Sequence, residues 1–222
     1  SLAVAGLALS FNASKNFESA LIDLAKVLDE QPGQLAEAEK TALSLSETYG
    51  KSSREIIQSF AGFVQAGFSL NEAMGLTKNA LDLVIAGDIQ MDEATKLLIT
   101  TLKGFQAPAT EAGKILDILN EVSNKYATDV HQLGVAMADL SPIARLMGFS
   151  LEETAGILTP VIEIFQSGEE AGRAFRTGLM RLVDDAKPVR QALDTLGVSQ
   201  FDLNGKFRSG RDIFFYVATP FG

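Results

Sequence analysis

Three carboxylate pairs, Glu152/Glu153, Glu169/Glu170 and Asp184/Asp185, have the residue types for acid–base work. Two carboxyl groups facing each other across a cleft can protonate a leaving group and activate water. Adjacent residues do not share one helix face, however, and the first two pairs fall in first helical turns, where negative charge meets the positive end of the helix dipole. A structural role accounts for them. His131 is the single histidine and follows Asp129 by two residues, a spacing that puts the two side chains on different faces of a helix. Cysteine is absent, which removes thiolate nucleophiles, thiolate metal sites and disulfides together. No two-histidine metal site or histidine acid–base pair can be assembled.

Phosphate and cation loops fail in the same way. Gly113-Lys114 is followed by Ile115, and Pro108 stands where a phosphate loop needs its first glycine. Gly205-Lys206 has Gln200 in that place. Asp202-Leu203-Asn204-Gly205 opens like a calcium loop but lacks the later ligands and the closing glutamate. The basic residues Arg173, Arg176, Arg181, Lys187 and Arg190 alternate with acids and have no interleaved aromatics, so they read as a solvated, salt-bridged face rather than a nucleic-acid site. The chain of 222 residues has 19 basic and 28 acidic side chains, a net charge of −9, which argues against binding through phosphate contacts. The expectation is a non-enzyme with no cofactor and no metal.

What must position these residues is a series of helices. Apolar residues recur at three-to-four spacing, as in Ile56, Ile57, Phe60, Phe63 and Val64, or Ile115, Leu116, Leu119 and Val122. Phe60, Phe63 and Phe68 read as core. Starts are marked by Ser-x-x-Glu at Ser52/Glu55, Ser69/Glu72, Ser150/Glu153 and Ser167/Glu170, the capping-box pattern. A further match, Ser44/Glu47, falls inside a helical pattern and is chance. Gly50, Gly67, Gly87, Gly148 and Gly168 mark stops. The pattern predicts helices near 12–30, 34–49, 53–66, 69–86, 91–104, 109–125, 129–147, 151–166, 169–186 and 188–196. Prolines and glycines forbid one continuous helix. The apolar start, Leu2 to Leu9, is too short to span a membrane and lacks the basic flank of a signal peptide. A start at Ser1 rather than Met fits a piece cut from a longer chain.

Gly67-Phe68-Ser69-Leu70-Asn71-Glu72-Ala73 returns 81 residues on as Gly148-Phe149-Ser150-Leu151-Glu152-Glu153-Thr154, with Gly75 meeting Gly156 and Gly87 meeting Gly168 at the same offset. The implied organisation is an N-terminal helical segment (1–50), a first helical repeat (51–126), a second (127–196) and a C-terminal hairpin or truncated end (197–222). In that last segment Asn204-Gly205 between Phe201 and Phe207 predicts a two-residue hairpin turn with both residues at positive φ. The run Ile213 to Val217 could extend a strand or form a helix. The fold class is mainly α, a multi-helix bundle or superhelical array of helical hairpins with a small C-terminal β-hairpin.

These residues carry a resemblance. Tyr49-Gly50-Lys51-Ser52-Ser53-Arg54-Glu55-Ile56, then Phe63 to Ala73, then Ala136-Met137-Ala138 and Gly148 to Thr154, resemble in order and spacing the core region of phage tail tape measure proteins. So do Leu193 to Val198 and Phe201 to Arg208, and the likeness runs from about residue 15 to 213. It implies a structural tail component that sets tail length during assembly, occupies the tube lumen and leaves with the genome. Implied partners are other copies of itself, tail tube, tail tip or baseplate, and assembly chaperones, in the virion tail and, during assembly, the host cytoplasm. Specific nucleic-acid binding is not implied, and membrane contact would belong to the full-length protein alone. No catalytic residue belongs to that core region. The resemblance apart, amphipathic helices and an internal repeat would also suit a helical protein-binding or assembly-chaperone module, and a cell-wall hydrolase domain is the enzymatic rival.

Overall fold

The computed structural model describes residues 2–28, 33–126, 129–184 and 186–218, with side chains from residue 15 onward. Asp185 and the ending 219–222 therefore lie outside the described residues, as does the end of the helix expected to reach residue 30. Among the described residues eleven α-helices follow one another: α1 (Leu2–Val27), α2 (Gln34–Tyr49), α3 (Ser53–Gln65), α4 (Leu70–Gly87), α5 (Met91–Phe105), α6 (Ala112–Lys125), α7 (Val130–Met147), α8 (Leu151–Phe165), α9 (Gly168–Leu182), α10 (Lys187–Thr195) and α11 (Gly210–Ala218). A 3-10 turn at Ala109–Glu111 leads into α6. No described helix is long and apolar enough to cross a membrane.

The chain divides into two compact units, 1–99 and 100–222, and the division falls within α5. In the first unit α3 is the centre, packed by α1, α2 and α4. Its Ile56, Ile57, Phe60 and Phe63 are fully buried, and Leu76 and Leu81 of α4 close over them. The apolar spacing of α3 is what turns one face inward; burial of each such side chain contributes on the order of 2 kcal/mol. Three hydroxyls run through this core. Thr95 Oγ1 donates to the Met91 carbonyl at 2.8 Å, so its contact with Ser59 at 2.8 Å must be donated by Ser59, and the Ser59–Thr77 contact at 2.9 Å by Thr77. The result is a one-directional chain linking α4, α3 and α5.

In the second unit α7 and α9 make the closest approach. A Cβ built on Gly168 would lie 2.0 Å from the Gln132 carbonyl oxygen, and one on Gly172 3.2 Å from the Ala136 carbonyl oxygen. Glycine at these two positions lets the α9 backbone lie directly on α7. Leu133, Met137 and Leu140 of α7 are fully buried, with Ile115 and Leu119 of α6 and Leu158 of α8. A smaller cluster, Leu193, Val198 and Ile213, joins α10 and α11 to the end of α9.

Pro142 and Pro160 lie inside α7 and α8, within the helices expected over 129–147 and 151–166. Pro142 has no N–H for the Ala138 carbonyl, and the Ser141 hydroxyl donates to that oxygen at 3.0 Å in its stead. Pro160 releases the Gly156 carbonyl at an exposed position, where water can serve it.

The C-terminal hairpin is a correction: no strand occurs among the described residues, only an isolated antiparallel bridge between Phe201 and Phe207. Gly205 has φ +74° but Asn204 is not at positive φ, so the two-residue mirror turn does not form. Asp202 Oδ1 accepts from the N–H groups of Asn204 (2.8 Å) and Lys206 (2.9 Å), and the Asp202 carbonyl accepts from Gly205 N–H at 3.0 Å. The aspartate side chain thus selects an ordinary turn closed by a left-handed glycine. The run after it forms helix α11.

Candidate functional site

Among the described residues no group of three or more His, Asp and Glu could hold a metal ion. The second residue of α7 is His131, half-buried. The carboxylates that could do chemistry are engaged one by one. Glu152 pairs with Lys114 of α6 at 2.6 Å, and that hydrogen-bonded ammonium holds its carboxyl below the usual range. Glu153 takes a two-nitrogen contact from Arg211 of α11, with Nε at 2.9 Å, which lowers its pKa. Glu169 pairs with Arg173 one turn on. Asp202 is held low by the Lys206 and Asn204 N–H groups it accepts. Tyr49 is pushed up to about 12, first by burial and then by donating to Asp82 Oδ1 at 2.8 Å. Each shift has a local structural cause, and no two of these groups face a common cleft.

The sequence-marked cap and turn residues fall at joints. After α3, Gly67 takes φ +87°, its N–H donates to Val64 O (2.8 Å) and Phe68 N–H to Phe63 O (3.1 Å). This is a Schellman stop, which satisfies the last carbonyls. Ser69 then starts α4: its Oγ accepts from Glu72 N–H at 3.3 Å while Glu72 Oε2 accepts from Ser69 N–H at 2.8 Å. After α7 the same construction appears. Gly148 takes φ +91°, Gly148 N–H donates to Arg145 O and Phe149 N–H to Ala144 O, and Ser150 and Glu153 exchange bonds of 3.0 and 3.1 Å. Phe68 and Phe149 are both buried beneath their joints.

Other marked residues behave differently. Ser52 stands at the N-cap of α3 but its side chain makes no capping bond, and Glu55 is in the first turn without the reciprocal one. Ser167 accepts from Glu170 N–H at 3.2 Å. Gly87 ends α4, whereas Gly168 opens α9, so the offset of 81 aligns a stop with a start there. Asn204 and Gly205 form the Asp202 turn. Asp129 also caps α7, accepting from Gln132 N–H at 2.6 Å; the Asp-x-x-Gln spelling was the signal for it.

The second joint carries an added aromatic layer. Phe149 meets Phe214 and Phe215 of α11 at 5.6 and 6.1 Å between ring centres, and Phe175 of α9 meets Phe214 at 5.6 Å. Among the described residues, grooves open between neighbouring helices, two of them as follows. One, of about 630 Å³, runs between α3 and α5 over the Ser59–Thr95 hydroxyls. The other, of about 500 Å³, runs between α6 and α8, with Ile118, Val122 and Ala155 along its floor and Glu121, Glu152 and Glu163 at its rim. Both are open.

A site made of packing surfaces rather than reacting groups accords with the known proteins this chain is similar to. It is 25% identical to the tape measure protein of Pneumococcus phage Dp-1 over 89% of this chain and 17% of that protein. It is 28% identical to a probable tape measure protein of Escherichia phage P2 over 88% of this chain and 24% of that one, and 26% identical to one from Clostridium phage phiCD119 over 67% and 16%. The chain thus spans a quarter or less of the length of these relatives. No solved structure matches. The family model for phage-related minor tail proteins matches residues 39–222, from within α2 to the end of the chain. By that match over most of its length, the chain belongs to the phage-related minor tail protein family.

Proposed function

We propose that this chain is a folded docking module of a tape measure protein, a structural part of a phage or phage-like tail that sets tail length during assembly. Family membership across residues 39–222 is the observation that carries this reading. The dispersal of the carboxylates into caps and ion pairs supports a non-catalytic role. In this reading the parent protein occupies the tube lumen, leaves with the genome, and contacts other copies of itself, tail tube, tail tip or baseplate proteins and an assembly chaperone. The net charge of −9 suits a lumen shared with passing DNA, because like charges do not adhere. The paired joints at Gly67 and Gly148 support reading 51–126 and 127–196 as copies of one helical repeat.

The test is in the virion. In-frame removal of this segment from the parent gene is expected to abolish tails or alter their length, and peptides of the segment are expected in purified tails. Tails of unchanged length, with the segment missing from particles of the unaltered phage, would overturn the proposal.

A further inference from the structure

Two surfaces of the second unit complement each other. The groove between α6 and α8 has an apolar floor and an acidic rim. Lys125 pairs with Glu121 and Lys114 with Glu152, whereas Glu163, exposed on α8, makes no ion pair among the described residues. The floor also offers a hydrogen-bond acceptor. Pro160 cannot donate to the Gly156 carbonyl, and a Cβ built on Gly156 would meet nothing within 4 Å. The groove therefore calls for an apolar side chain flanked by cationic donors.

Helix α9 presents that combination outward. Its buried face, Gly168, Ala171, Gly172 and Leu179, packs inward. On the opposite face Arg173, Thr177, Met180 and Arg181 recur at helical spacing, with Arg176 beside them. Met180 is 53% exposed, a large flexible apolar side chain left in solvent. Guanidinium groups only donate, and they match both carboxylates and a bare carbonyl.

We propose that the α6/α8 groove of one copy receives the outer α9 face of a second copy, with Met180 on the apolar floor and Arg176 and Arg181 meeting Glu121 and Glu163. The groove and the stripe are different patches, so the contact is heterologous and joins copies head to tail into a ring or an open row. One helix in one groove buries little area, so the contact in isolation is weak and salt-sensitive. This gives a surface to the self-association in the proposed function but does not depend on the tail lumen, so its failure would leave the virion test untouched.

The experiment follows the mass of the full 222-residue chain by analytical ultracentrifugation across concentration, at about 0.01 M and about 1 M salt, where the screening length falls from roughly 30 Å to roughly 3 Å. Association is expected at low salt and loss of it at high salt. The E121K/E163K and R176E/R181E variants, with helicity checked by circular dichroism, are each expected to associate about a hundredfold more weakly, since like charges then face each other. Mixed together they are expected to recover association, because each one's α9 face again meets a groove of opposite charge. The milder E163Q and R181Q variants should weaken association partially. A chain that stays monomeric at low salt, variants that associate like the parent, or a mixture that fails to recover would each overturn the proposal. Capture of a basic helix by an otherwise monomeric chain would place a different occupant in the groove and overturn it equally.

Discussion

Three glycines of α9 sit on one helix with very different surroundings, and alanine at each isolates what the α7–α9 contact is worth. A Cβ at Gly178 would meet nothing within 4 Å. Gly178→Ala therefore keeps only the gain in helix propensity and is expected to stabilise by about 1 kcal/mol. At Gly172 the same gain is opposed: the new carbon would lie 3.2 Å from the Ala136 carbonyl oxygen and 3.3 Å from its Cα, backbone atoms held by α7 itself. An overpacking cost of about 2 kcal/mol leaves a net loss of about 1 kcal/mol. At Gly168 the carbon would stand 2.0 Å from the Gln132 carbonyl oxygen, more than an ångström inside contact, and α9 must move off α7 to admit it. That shift also pulls Gly168 N–H from Gln132 Oε1. A loss of about 3 kcal/mol or more is expected, at the upper end for overpacking. Urea unfolding followed by circular dichroism reads all three variants, and because they share α9 they report on one cooperative unit. If Gly168→Ala were as mild as Gly178→Ala, the direct backbone contact between α7 and α9 would be refuted.

Replacing Ser59 by Ala breaks the hydroxyl chain in the middle and strands Thr77 in the core, while Thr95 keeps its bond to the Met91 carbonyl. A loss of about 2 kcal/mol is expected in urea unfolding, with the S59A/T77V pair recovering part of it because one orphan is removed. Tyr49, pushed up to about 12 by burial and by Asp82, contributes stability that is full below its ordinary value of 10.0 and is lost as pH rises towards 12. A pH titration of unfolding should show that alkaline loss in the parent and not in Tyr49→Phe. Glu153, lowered by Arg211, acts in the opposite direction: its contribution is full above the usual 4.5 and is lost as pH falls below it. Arg211→Gln is expected to flatten the acid limb of the stability profile.

The parts of this fold that sequence reveals are those whose chemistry closes within one turn. The Gly67–Glu72 and Gly148–Glu153 joints are legible because every partner of the stop and the cap lies within the segments 63–72 and 144–153. The apolar stripe of α3 is legible for the same reason. What escaped depends on partners far along the chain. Gly168 reads as a stop until α7 is laid against the start of α9. Asn204-Gly205 spelled the wrong turn because the Asp202 carboxylate, two residues upstream, competes for the same N–H groups and wins. The α6/α8 groove has no local spelling at all, since it exists only once two helices lie side by side.

The joints also bear on how such a segment could act within a ruler. One continuous helix of 222 residues would reach roughly 330 Å at 1.5 Å per residue. Here the longest described helix has 26 residues, about 39 Å. Left-handed residues at Gly50, Gly67, Asp88, Gln106, Gly148 and Gln166 end one helix after another. Five of those six stops are followed by another helix within five residues, so the chain turns back on its own core before it can extend. Residues spent on buried faces such as Phe60 and Phe63, or on Leu133 and Met137, cannot be traded for length without exposing them. Within the proposed tape measure, then, deleting one helix here should break a folded unit rather than shorten a tail by the length of that helix. On that proposal, proportional measurement falls to other residues of the parent protein, and this segment would supply a surface of fixed size for docking.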